Sequence, residues 1–397
     1  MIKLSKLVIN NFKSLDDFWL DFSDFTCLIG LNSSGKSTIL QAIDFVSQQM
    51  HGDISSWLKD RSWEANEIKC KLLQTKMIAM MVSFNHNDRF YIWTFTYNPV
   101  IKKCVSERIF YYSEDYKTSK IIFEVSDSKY MIIKDLETDE KLEGDIVQEY
   151  EGSFLASLKK EYLPEVIQKF KLYIQHIYSL DLLSPQELRK PSRIGSKLGL
   201  SGENISAFLN TFTKEQKNEL LEQLQKCYPN LEGFNVKKTQ GGWSRLELTE
   251  RFGEKKISNE GKYLNDGVLR LIAILSQLQS QESFLLFDEI ENGINSELIE
   301  YLIDTLIASK HQVMITTHSP MVLNYIEDEV AQKSVHYIYK TEQGFTKSIP
   351  FFDIPSMKEK LELMGAGEVY VDTNLSSLNE EIRLIEIQKA EENASSN

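Results

Sequence analysis

The stretch GLNSSGKST, residues 30 to 38, packs two glycines, one lysine and four hydroxyl side chains into nine positions. It fits the pattern G-x-x-x-x-G-K-[ST]. Glycines let a backbone wrap closely, so the amides of Gly30, Asn32, Ser33, Ser34 and Gly35 can point inward at phosphate oxygens. Lys36 would then reach the β- and γ-phosphates of a nucleotide, the Ser37 hydroxyl would bind Mg²⁺, and Thr38 would add a phosphate contact. A glycine-rich turn with an incidental lysine is the competing reading. The context favours the cradle: FTCLIG, residues 25 to 30, reads as a buried strand entering the loop, and STILQAIDFVSQQM, 37 to 50, reads as a helix leaving it, its N-terminal dipole facing any bound anion.

Two further stretches end apolar runs in polar groups. SFLLFDEIENGIN, 283 to 295, places Asp288 and Glu289 at the end of a buried strand. A parallel strand buried on both faces is apolar throughout, and ligands of such sheets gather at the strands' C-terminal ends. Asp288 can hold Mg²⁺ through water, and Glu289 can polarise an attacking water as general base. Alone, the pair reads as a helix cap or acidic turn; beside a phosphate loop it reads as chemistry. HQVMITTHSP, 311 to 320, ends in the same way, and His318 there can bond a γ-phosphate or orient water. A capping histidine before Pro320 is the plainer alternative.

These residues need a scaffold. Residues 3 to 10 alternate as a strand does. From about 66 to 143 the chain is aromatic-rich and reads as antiparallel hairpins, with a turn at 85 to 88. Residues 145 to 175 and 204 to 229 read as helical, and 235 to 253 returns to strand around Gly241 and Gly242. The region 268 to 316 then reads helix, strand, helix, strand, which implies parallel βαβ units. A mixed segment after 350 leads to a charged helical tail. No internal repeat or low-complexity linker interrupts the chain.

Composition narrows the classes. The chain has 397 residues, 42% hydrophobic and 26% charged, and a formal net charge of −13. That acidity argues against broad nonspecific nucleic-acid binding, which needs clustered lysine and arginine. The densest basic stretch is RKPSRIGSK, 189 to 197. Cys27, Cys70, Cys104 and Cys227 are scattered, which suits free thiols in a reducing compartment better than a zinc site. No apolar run approaches the roughly 20 residues of a membrane span, and the N-terminus has no signal-peptide pattern, so the expected location is the cytoplasm.

Taken together, the motifs resemble the ATP-binding-cassette type of ATPase, in its RecF/SMC/OLD branch and in the shape of a stand-alone AAA15/AAA21-like ATPase. NNFKSL, 10 to 15, stands before the phosphate loop as that branch's N-F-[KR]-S does. LNDGVLRLIAIL, 264 to 275, resembles its signature segment, FDEIENGIN its Walker B and following D-loop, and TTHSP its histidine switch. The resemblance implies an α/β fold, an ABC-ATPase head of the P-loop NTPase kind with an antiparallel β lobe and a helical insertion. The ATPase core would comprise 1–50 and 170–350, the inserted β lobe and helical arm 51–169, and a C-terminal extension 351–397. It implies ATP and Mg²⁺ as cofactors, with Ser37 and Asp288 at the metal, Glu289 and His318 catalytic, and Lys13 close to the nucleotide. It also implies a composite site, in which Asn265, Asp266 and Gly267 of one head face the ATP held by another. The family usually has serine at the place of Asn265, whose amide can still donate. Gln175 is the candidate for the family's Q-loop glutamine.

The same resemblance frames the role. OLD-type relatives carry a TOPRIM nuclease domain with a DxD cluster; after His318 this chain shows no DxD, and GEVYVDTN, 367 to 374, reads as local structure. No sustained heptads indicate long coiled-coil arms. The expectation is an ATP-hydrolysing head, not itself a nuclease, that forms a homodimer or higher homo-oligomer through ATP. It would control a separate effector protein, nuclease or toxin-like, as in bacterial antiphage systems. A RecF-like ATPase that binds DNA, and an assembly scaffold that binds ATP without hydrolysing it, are the alternatives.

Overall fold

The computed structural model describes residues 2–112, 118–136, 138–193, 195–239 and 241–395, without the side chains of 375, 376 and 388–395. Its centre is a six-stranded sheet in the order Ile177–Leu180, Phe284–Phe287, Gln312–Thr316, Phe25–Ile29, Val335–Lys340 and Thr346–Pro350. The first five are parallel and the last is antiparallel to its neighbour. Parallel order requires crossovers, which the helices Lys36–His51, Asp266–Leu278 and Ser296–Ile307 help to supply. The apolar runs 25 to 29, 284 to 287 and 312 to 316 are buried at every position. The reason is that both faces are covered. Cys27, Ile29, Leu285, Phe287, Val313 and Ile315 face one hydrophobic core with the helix Asp266–Leu278. Leu28, Phe284, Leu286, Met314 and Ile338 face the other, with Phe45 and Ile39 of the helix Lys36–His51.

That second core is closed by an eight-stranded antiparallel sheet, ordered Phe18–Asp21, Lys3–Asn10, Ile78–His86, Arg89–Asn98, Lys103–Tyr112, Ser119–Ser126, Lys129–Ile133 and Lys141–Asp145. The hairpins read from the aromatic-rich region are present. The turn at Asn87 and Asp88 has φ of 50° and 57°, the left-handed pair of a tight hairpin that asparagine and aspartate tolerate. The N-terminal strands Lys3–Asn10 and Phe18–Asp21 belong to this sheet, so residue 50 does not divide one sheet from the other.

Several sequence expectations shift. Between 145 and 175 helix occupies Phe154–Ser157 and Glu165–Gln175, with a short 3₁₀ turn at Lys160–Tyr162. Residues 231 to 260 form a three-stranded sheet, whose third strand, Lys255–Glu260, is polar and gave no apolar alternation to read. Strands Val335–Lys340 and Thr346–Pro350 extend the central sheet. The helix Asp266–Leu278, which reads from sequence as amphipathic, is buried at every position from Val268 to Leu278. Cys27, Cys70 and Cys104 are buried free thiols, and Cys227 is half-buried. No helix among the described residues is long and apolar enough to cross a membrane.

Candidate functional site

The strand Phe25–Ile29 runs into Gly30, whose φ of 144° lies in the region glycine alone adopts freely. Gly35, at φ 114°, starts the helix Lys36–His51. Both glycines are also demanded by what lies behind them. A β-carbon on Gly30 would stand 2.2 Å from the Ile338 carbonyl oxygen, and one on Gly35 would stand 2.3 Å from the Thr346 hydroxyl. That hydroxyl donates to the Ser34 carbonyl at 2.8 Å and lies 2.8 Å from the Ser14 hydroxyl. The last hairpin of the central sheet therefore braces the phosphate loop from its outer side. Nothing in the sequence around Thr346 marks this, because a β-hairpin threonine has no motif of its own.

The loop's front carries the groups expected of it. Leu31, Asn32, Ser33 and Ser37 are exposed, and Thr38 is half-buried. The Ser34 hydroxyl is buried and has no protein partner. Lys36 is buried; its ammonium donates to the Gly30 and Leu31 carbonyls at 2.9 and 3.1 Å and lies 3.4 Å from His318 Nδ1. Burial holds its pKa below the usual lysine value, with Asp288, Glu289 and Glu291 pulling the other way. Such a lysine gains most from a nearby anion.

Lys13 stands in a tight turn closed by Phe12 and Leu15 backbone bonds, at φ 49°. Its ammonium bonds Gln41 Oε1 at 2.8 Å on the phosphate-loop helix and sits 3.3 Å from the centre of the Trp63 ring. Burial, and then Arg61, bring its pKa down to about 8. A cavity of about 540 Å³ adjoins it, lined by Ser14, Trp63, Lys69, Lys71 and Lys340 among others.

Of the acid pair, Asp288 is bonded to the loop and Glu289 lies beside His318. Thr316, the last residue of its strand, donates to Asp288 Oδ1 at 2.5 Å and accepts the Glu289 amide at 2.8 Å. The Ser37 hydroxyl also bonds Asp288. Asp288 has a raised pKa, chiefly from burial, with Asp181 and Glu289 adding to it and the two hydroxyls opposing. A half-buried carboxylate among other carboxylates, bonded to a hydroxyl of the phosphate loop, is a donor set of hard oxygens that suits Mg²⁺. Ser37 and Asp288 would hold that ion, which when bound would neutralise charge on the phosphates. Glu289 has φ 46°, a strained backbone for a residue other than glycine. Its carboxylate lies 3.7 Å from His318 Nε2 and accepts from Asn292 at 3.3 Å. His318 is fixed in turn by its amide, which donates to Glu291 at 2.8 Å. Lys36, His318 and Glu289 thus form one continuous line of polar groups.

Asp181 joins them from the end of the neighbouring strand. It takes a two-pronged bond from Arg61, at 2.9 Å to each oxygen, and Arg61 also bonds Asp44 at 2.8 Å. Sequence reading missed both, since Asp181 lies after a strand of only four residues, Ile177–Leu180. Gln175 is not the glutamine of this site. Its amide donates to the Met50 carbonyl, at the far end of the helix that begins at Lys36.

The segment 265 to 267 has other neighbours. Asn265 caps the helix Asp266–Leu278, its Oδ1 accepting the Val268 amide at 2.8 Å, which leaves its Nδ2 as the outward donor. Asp266 pairs with Arg189. Both Asn265 and Asp266 are exposed. Gly267 presses on the turn that follows the acid pair of its own chain: a β-carbon there would stand 2.4 Å from the Gly293 carbonyl oxygen. Glu368 and Asp372 are engaged locally, Glu368 with the Gly365 amide and Asp372 with Lys360.

Known proteins share this fold. Solved structures with the same fold include an SMC head bound to the C-winged helix domain of ScpA, with a TM-score of 0.53 and 16% identity, covering 87% of this chain and 96% of that one. An SMC head domain with an extended coiled coil, bound to the C-terminal domain of ScpA and derived from Pyrococcus furiosus, gives a TM-score of 0.54 at 14% identity, covering 91% and 100%. No curated protein matches the chain. The AAA ATPase domain family matches residues 2–323, which take in the loop 30–38, the segment 264–275, the acids Asp288 and Glu289 and His318. On that match the chain belongs to the AAA ATPase domain family, and its fold is that of an SMC-type, ABC-ATPase head.

Proposed function

We propose that the protein hydrolyses ATP with Mg²⁺, dimerises around the nucleotide and works as a switch on a partner effector. The observation that carries this reading is the line Lys36, His318 and Glu289, with Asp288 bonded to Ser37 beside it. A protein that only bound ATP would have no use for a carboxylate held on a strained backbone next to the phosphate lysine. In this reading the loop amides and Lys36 bind the phosphates, and Ser37 and Asp288 hold the metal. Glu289 takes a proton from the attacking water, and His318 keeps that carboxylate and the γ-phosphate in register. In the same reading Lys13, beside the cavity lined by Ser14 and Trp63, stands close to the nucleotide.

Exposed Asn265 and Asp266 support the composite site: the Asn265 amide group is left over from the cap, and Asp266, though paired with Arg189, lies at the surface, while Gly267 is engaged within its own chain. A separate effector, and a place in bacterial antiphage defence, follow from the resemblance to stand-alone heads. The DNA-binding alternative gains little from the basic stretch 189 to 197, where Arg189 is paired with Asp266, Lys190 with Glu187 and Lys197 with Glu282.

The test is Glu289→Gln. Turnover should fall by about 10²–10⁴-fold while ATP is still bound, and light scattering with ATP should show the variant accumulating as a dimer. Full-rate hydrolysis by this variant would remove Glu289 as the base. A protein that stays monomeric in ATP would remove the dimer switch.

A further inference from the structure

Arg270 is the single charged residue among the buried positions 268 to 278 of the helix that begins at Asp266. It is 7% exposed. Nη1 donates to the Leu183 carbonyl and Nη2 to the Glu289 carbonyl, each at 3.4 Å, and Nε has no partner. Its stem packs near the α-carbon of Gly293, where a β-carbon would stand 3.5 Å from Cδ. A buried guanidinium is costly to keep, and a leucine or methionine would fill this helix position as well. Packing alone therefore does not account for it.

The groups it touches do. Leu183 lies in the loop after the strand that ends beside Asp181, Glu289 is the proposed base, and Gly293 carries the carbonyl against which Gly267 is pressed. The planar fork of arginine sets the spacing of two carbonyls in a way that a lysine ammonium does not. The Glu289 backbone, at φ 46°, needs such a hold to stay where it is. Arg270 lies three residues after Gly267 and so one helical turn from the exposed Asn265 and Asp266.

We propose that Arg270 is a positioning residue for Glu289: it ties the signature helix to the Glu289 backbone, so that seating Asn265 and Asp266 against a second head is transmitted to the carboxylate of the same chain. Together with the Gly267–Gly293 contact it gives the segment 289 to 293 two points of attachment to that helix. This rests on the reading of Glu289 as base in an ATP-hydrolysing head.

The experiment measures single-turnover ATP hydrolysis and ATP affinity for the full chain as wild type, R270Q, R270K, E289Q and the double variant R270Q/E289Q. R270Q should lower the hydrolysis rate constant by about tenfold or more, as a displaced catalytic group does, with affinity changed by less than about threefold. R270K, which keeps the charge and loses the fork, should fall between R270Q and wild type. In the E289Q background R270Q should add less than about a twofold loss, because a residue that acts through Glu289 has nothing left to position. Full-rate hydrolysis by R270Q overturns the inference, as does a double variant whose loss is the product of the two single losses. If R270Q does not fold, R270K against R270K/E289Q makes the same comparison. A wild-type protein that does not hydrolyse ATP overturns the functional reading and this inference with it. A hydrolysing wild type beside a full-rate R270Q overturns this inference alone.

Discussion

The α-carbon of Gly267 faces the Gly293 carbonyl so closely that a β-carbon would stand 2.4 Å from its oxygen. The signature is thus seated on the loop that follows the acid pair of its own chain. Gly267→Ala should cost about 1–3 kcal/mol of stability by overpacking, read from urea unfolding, before any contact with a second head is considered. An unfolding curve equal to wild type would show that the two segments are free to separate.

Asn265 is the cleaner probe of the proposed composite site. Its Oδ1 caps the helix, and serine caps as well as asparagine, so Asn265→Ser should unfold within about 0.5 kcal/mol of wild type whereas Asn265→Ala should lose about 1 kcal/mol. In the ATP-dependent dimer, wild type against Asn265→Ser then isolates the outward amide, and Asn265→Ser against Asn265→Ala isolates the cap. Equal stabilities for Ser and Ala would contradict the capping role.

Lys36→Ala should abolish nucleotide binding, measured by titrating a fluorescent ATP analogue. The Lys36 side chain is the one buried ammonium that the loop's own carbonyls and His318 surround. Unchanged affinity would sink the phosphate-loop assignment.

Thr346→Val keeps the shape behind Gly35 and removes the hydroxyl that bonds Ser34 and Ser14. It should cost about 1–3 kcal/mol, since a buried acceptor is left unpaired, and should weaken nucleotide binding as well. A variant with wild-type melting and affinity would show that the hairpin does not brace the loop.

Glu107 lies far from this chemistry and still sets a pH dependence. It is fully buried, accepts from Trp93 Nε1 at 2.9 Å, from the Phe154 amide at 3.1 Å and from the Ser153 hydroxyl, and burial brings its pKa up to about 7. The folded value lies above the ordinary 4.5. Its contribution is therefore full below that value and is lost as pH rises through 7, because the unfolded chain releases the proton first. Glu107→Gln does not titrate, so its stability relative to wild type should improve by up to roughly 3 kcal/mol between pH 4.5 and 8. Chemical unfolding at several pH values measures this, and a constant difference would exclude Glu107 as the source.

The parts legible in the sequence were those where one local pattern carries the physics. The phosphate loop, the buried strands 25 to 29, 284 to 287 and 312 to 316, and the acids at their ends all announce themselves through apolar runs that stop at polar groups. What stayed hidden depends on pairs distant in sequence. Thr346 matters because it lies behind Gly35, and Asp181 because Arg61 reaches it. Arg270 looks like one exposed position of an amphipathic helix until both sides of that helix are covered. Gln175 misleads for the converse reason: its position in the chain suggests a link to the nucleotide, while its bond to Met50 sets it at the far end of the phosphate-loop helix.

The strand that leads into the phosphate loop lies between Gln312–Thr316 and Val335–Lys340, both from the last third of the chain. During synthesis that strand leaves the ribosome long before either neighbour, each of which lies more than 280 residues further along the chain. Such long-range pairing is slow, and the apolar edge it leaves open invites aggregation or chaperone capture. A chain stopped at residue 323 would lack Ile338 and Thr346 altogether, and with them the wall against which Gly30 and Gly35 are set. Nucleotide binding of the kind proposed would therefore depend on this hairpin's having been made and docked.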